Sequence, residues 1–134
     1  MPFDLEEKFV EATEAKLGVR LPENYRRSML RENGGGVVID SEDWRLYPIL
    51  DKSSRKRFAR TCNDITSETE TMRNWPDWPE GGLAIGANGF GDALLFVRDG
   101  QAFEPLVYTW RQETGEIEPV AGDFSEIRQA PSTH

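Results

Sequence analysis

The chain is poor in the residues that most often mark a chemical site. Its 134 residues include one cysteine, Cys62, and one histidine, His134. A lone cysteine excludes an internal disulfide and fits a reducing, cytoplasmic setting. A lone histidine at the chain end argues against a Ser-His-Asp arrangement, and with a single thiol it leaves zinc without a ligand set. Cys62 is expected to be a small buried hydrophobe. Long apolar runs are missing too. The longest, Ala93–Val97, has five residues, against about 20 for a membrane helix. The opening stretch MPFDLEEKFV lacks the basic head and apolar core of a signal peptide. No repeat, low-complexity tract or linker interrupts the chain, so 1–134 reads as one domain.

Acid is what the chain has in excess. Its 24 acidic and 16 basic side chains give a net charge of −8. Residues 1–50 carry −3, residues 51–60 (DKSSRKRFAR) carry +4, and residues 61–134 carry −9. Such a surface repels nucleic acid and anionic lipid and attracts basic partners. Neither nucleic acid nor membrane is therefore expected as a partner. In the basic stretch 52–60 only Phe58 is interleaved with the cations. Without a glycine-aromatic motif for base stacking, it reads as a solvated helix face paired internally with nearby acids.

The chain opens in helical periodicity and closes in alternation. Asp4 with Glu7 makes a capping box for a helix that buries Leu5, Phe9, Ala12 and Leu17 and stops at Gly18. Pro22 suits the first turn of a second helix, which carries Tyr25 and Met29 and ends at Asn33-Gly34-Gly35-Gly36. GVVID and WRLYPIL read as strands joined by a Ser41-Glu42-Asp43 turn. Residues 53–75 read as a middle helix or long crossover, and PDWPEGG at 76–82 is a break. LAIG, DALLFVRDG and PLVYTWRQETGEIEPV then supply strands, with turns at Asp99-Gly100 and Thr114-Gly115. Asp123 starts a short closing helix, and APSTH reads as a frayed end. Helices first and consecutive strands later mean an α+β fold. The expectation is a mostly antiparallel twisted sheet of five or six strands. N-terminal helices, one middle helix and a short C-terminal helix flank it.

GANGFGD, residues 86–92, has the glycines of a phosphate loop but not its logic. The order is G-x-x-G-x-G, no lysine follows, the next residues read as a strand, and Asp92 puts negative charge where phosphate would sit. It reads instead as a turn in which Asn88 and Gly89 take positive φ and Asp92 accepts backbone N–H groups. An EF-hand loop is absent, and Asp40, Glu42 and Asp43 are at most a weak calcium site. With 24 acids many carboxylate pairs are possible, but spacing singles out none.

Five motifs in order resemble the SUKH superfamily. It includes the Smi-one/Knr-four regulators of cell-wall synthesis and many bacterial immunity proteins. The "LG..LP..Y" element corresponds to Leu17-Gly18, Leu21-Pro22 and Tyr25, and "NGG" to Asn33-Gly34-Gly35. The tryptophan of the first hairpin corresponds to Trp44, and "G.NG.GD" to Gly86, Asn88-Gly89 and Gly91-Asp92. The "V..W" strand and its following turn correspond to Val107, Trp110 and Glu113-Thr114-Gly115. Residues 51–80 depart most. The resemblance implies a binding function, no catalytic residues and no cofactor, and it leaves these matched residues as builders of the fold.

What the resemblance implies first is an immunity protein binding a nearby-encoded toxin, and an acidic surface suits that role by competing for the basic cleft of a nuclease. A regulatory or scaffolding module is the alternative, and a small hydrolase with a carboxylate pair a second one. The contact residues expected are acidic and aromatic loop positions: Asp40, Glu42, Asp43, Trp75, Asp77, Trp78 and Glu80.

Overall fold

The computed structural model describes residues 2–128, so the expected fraying of APSTH and the position of His134 lie outside the described residues. The chain begins with α1 (Glu7–Leu17) and α2 (Glu23–Arg31), then a hairpin of β1 (Gly35–Ile39) and β2 (Glu42–Leu46). Next come α3 (Arg55–Thr61) and α4 (Ile65–Met72). It closes with β3 (Gly82–Ala87), β4 (Ala93–Asp99), β5 (Ala102–Phe103), β6 (Val107–Trp110), β7 (Ile117–Ala121) and a 3-10 turn, Phe124–Glu126. Every pairing is antiparallel, in the order β1-β2-β3-β4-β6-β7. The short β5 takes the far end of the β4 edge that β6 also uses. The α+β class and the antiparallel sheet are as the patterning implies.

The sheet buries both faces. On one side Tyr25 and Met29 of α2, Val10 of α1 and Phe124 pack against Ile85, Leu94 and Phe96. Tyr25 meets Phe96 and Phe124 edge-on at 5.1 and 5.0 Å. On the other, Ala93, Leu95 and Trp110 are covered by Met72 and Trp78. Trp44, Trp110 and Tyr25 are buried in the core. Gly18 caps α1 in the left-handed region.

Several local expectations are corrected by contacts from elsewhere. The Asp4–Glu7 capping box does not form: α1 is capped at Glu6 with no side-chain bond. Asp4 instead accepts Arg57 of α3 at 3.1 Å, and Glu7 accepts Arg26 at 2.8 Å. Ala12 is exposed, and Val10 and Thr13 take the inward positions. Pro22 precedes α2 as its N-cap. The hairpin turns at Asp40-Ser41, both with positive φ, so Glu42 and Asp43 belong to β2. WRLYPIL stops being a strand at Leu46. There the side chain of Asn33 clamps Ile49, accepting its N–H and donating to its C=O, each at 2.8 Å.

The expected middle helix is two short ones, because Asp64 caps α4 by accepting the Ser67 N–H. Cys62, at that break, is exposed and not buried. Arg57 ties the basic stretch to Asp4 and to buried Asp51, in line with internal pairing. Lys56, Arg57 and Arg60 gather over the Phe3 ring. Burial alone would raise the Asp51 pKa, but bonds from Ser53 and Arg57 outweigh it and bring the net value below the usual range.

Candidate functional site

Three strand connections meet at one end of the sheet. They are the β1–β2 turn, the glycine-rich β3–β4 loop and the β6–β7 turn, because antiparallel pairing returns all three to that end. Their junction is Arg111, one residue past β6. Its guanidinium donates to Asp92 at 3.0 Å and to Glu42 at 3.3 Å, and it lies 5.6 Å from the Trp44 ring. Asn88 donates to both of these carboxylates, at 3.0 Å to Asp92 and 3.1 Å to Glu42. Asp92 also accepts the backbone N–H of Gln112 at 3.0 Å.

These bonds set the charge states. Burial by itself would raise the Asp92 carboxyl pKa, but Asn88, the Gln112 N–H and Arg111 outweigh it and the net shift is downward. Burial would lower Arg111, and Glu42 and Asp92 more than reverse that. Asp92 and Arg111 are both held in their charged forms, which suits a fixed electrostatic surface and not a proton donor.

The glycine-rich loop is a turn leading into a strand, as expected, though its positive φ falls at Gly91 and not at Asn88 or Gly89. Asn88 supplies the local ties, accepting the N–H groups of Phe90 and Asp92. The flanking glycines leave Phe90 at the tip, 79% exposed. An aromatic between two glycines in a turn was the sequence signal for this position; Arg111 had none, because its partners are remote in the chain.

The Trp75–Trp78 segment folds onto the second face of the sheet. Trp78 and Trp75 approach the Trp110 ring edge-on at 5.2 and 6.4 Å, and the Trp110 indole N–H donates to the Asp77 carbonyl. Trp78 is half-buried, while Trp75 stays 42% exposed. Asp77 holds positive φ and lies against Gly115 of the β6–β7 turn. The structure thus brings Asp40, Glu42, Asp43, Asp77 and Trp75 toward one end. Glu80 does not join them. It borders a second groove with Arg98 and Phe103, at the opposite end of β3 and β4.

Asp40 and Asp43 are exposed while Glu42 turns to Arg111, so the three do not converge on a cation. Among the described residues no three His, Cys, Asp or Glu side chains are grouped to hold a metal ion, and no helix is long and apolar enough to cross a membrane. No curated protein and no solved structure shows a significant match to the chain. A protein-family model described as SMI1 / KNR4 family (SUKH-1) matches residues 5–129, nearly the whole length. The chain belongs to the SMI1 / KNR4 family (SUKH-1).

Proposed function

We propose that the chain is a cytoplasmic, non-enzymatic immunity protein that binds and neutralises a bacterial toxin through the acidic end of its sheet. One observation carries this reading. At this end Glu42 and Asp92 bond Arg111, Asp40, Asp43, Asp77, Glu113 and Glu116 lie in or beside the neighbouring turns, and Phe90 stands exposed at a loop tip. An acidic rim around an aromatic anchor suits the phosphate-binding cleft of a nuclease toxin: the charge speeds encounter, and the ring fills a pocket. Trp75 extends the apolar contact, Trp78 supports it from below, and Glu80 stands outside it. The carboxyls with a clear pKa shift, Asp51, Asp92 and Asp123, all move down. Hydrolysis by a carboxylate pair wants one carboxyl raised, so this favours binding over acid–base chemistry.

The test is binding to the toxin domain encoded beside the gene. A tight complex is expected, with association slowing as salt rises. Reversing Asp40 and Asp43 to Lys slows association. Phe90→Ala raises Kd by about 10-fold or more with an unchanged melting temperature. Failure of the wild-type chain to bind that domain would sink the proposal.

A further inference from the structure

The two edges of the sheet are not alike. The outer strand β7 carries Glu118 and Pro119, which discourage further pairing. The other outer strand, β1, reads Gly-Gly-Val-Val-Ile, with neither charge nor proline. The turn type sets which of its backbone groups point outward. Ile39 and Glu42 flank the two-residue turn and so form a hydrogen-bonded pair. Alternation gives the same role to Val37–Trp44 and Gly35–Leu46. Gly36 and Val38 therefore direct both N–H and C=O away from β2. Among the described residues nothing bonds to these groups. Val38 is also 62% exposed, and a groove of about 1380 Å³ runs along β1 and β2, walled by Phe3, Arg60 and Asn63.

We propose that β1 is a docking edge that takes one extended segment of the partner protein as an added strand, hydrogen-bonded at Gly36 and Val38 and carrying a lysine or arginine across from Val38. The identity of the partner rests on the immunity reading above; the edge itself does not. Arg45 lies opposite Gly36 and Arg60 and Arg128 line the groove, so the edge is acidic at its turn end alone, and charge there selects the residue placed across from Val38. Asp43 lies opposite Val38 in the hairpin, and Asp40 sits at the adjoining turn, both exposed. A lysine or arginine placed across from Val38 lays its stem over the valine methyls and its charge at these carboxylates. A second copy of β1 brings no cation and sets one net charge of −8 against another. The chain's own residues 129–134, QAPSTH, bring neither lysine nor arginine. A partner strand with a cation across from Val38 fits better than either.

Val38→Pro and Gly36→Pro remove one outward N–H each and leave every β1–β2 bond in place. With the neighbouring toxin domain as probe, each is expected to raise Kd by about 10- to 100-fold. The melting temperature stays near wild type, and the Gly36 and Val38 amides become protected from hydrogen exchange in the wild-type complex. Equal Kd for wild type and both variants, or no protection at these amides, overturns the proposal. Protection already present in the free chain and lost on deleting residues 129–134 assigns the edge to the tail and overturns it as well. If the toxin domain does not bind at all, the immunity reading fails and a second probe decides the edge. A synthetic alternating lysine–valine strand should shift the Gly36 and Val38 amide resonances in wild type but not in Val38→Pro; no shift in wild type overturns the proposal.

Discussion

Gly86 carries its role through what it lacks. It sits at the register shift between β3 and β4, paired with Leu46 of β2. A Cβ there would stand 2.7 Å from the Arg45 carbonyl oxygen, a backbone atom that cannot swing aside. Gly86→Ala is expected to lower stability by about 1–3 kcal/mol in urea denaturation, as overpacking does; an unchanged midpoint would show that β2 can move. A glycine inside a strand pattern is visible in the sequence, but the close approach of β2 is not. The same holds at Asp92. Its neighbours suggested an acceptor for the loop's own N–H groups, but Asn88 takes that part, and Asp92 accepts Arg111 and the Gln112 N–H, distant partners that come to it only through the β4–β6 pairing.

At the scale of elements, α4 closes a gap that the sheet leaves. Strand β2 pairs with β3 only at Arg45–Ala87 and Leu46–Gly86, then departs. The first half of β3 would expose buried N–H groups, and the Thr69 hydroxyl of α4 accepts the one from Ala84 at 2.8 Å. Thr69→Val keeps the shape and removes that acceptor. It is expected to destabilise by about 1–3 kcal/mol, read by thermal and urea unfolding. A loss near zero would mean the Ala84 N–H finds another partner. Residues 53–75 read as a middle helix or a long crossover, and they form two short helices. Phe58 and Cys62 prove exposed, because α3 is held to the body by the Arg57 ion pairs and the Phe3 stack, not by an apolar face.

Across the whole molecule the shifted carboxylates share one sign. Asp51, Asp92 and Asp123 have folded pKa values below their ordinary ones. Their stabilisation is complete above the unfolded value of about 3.9 and is lost as pH falls through it toward the folded values. The urea midpoint should hold steady from neutral pH to about 5 and fall below about 4. Asp92→Asn should flatten part of that fall; a midpoint constant down to pH 3 would contradict the assigned bonds. At acid pH the same protonation weakens the field at the sheet end, so partner association should slow in the same range.

By itself the sequence determined the class of fold, the left-handed stop at Gly18, the closing turn at Asp123 and the acidic character of the surface. Each of these is local: a period, a turn residue or a net charge needs no distant partner. Only the tertiary structure decided that Glu42 faces Arg111 while Asp40 and Asp43 stay free, that Glu80 lies at the far end, and that β1 is the unguarded edge. Those outcomes depend on strand order and register, which bring together residues far apart in the chain through the packing of the whole core.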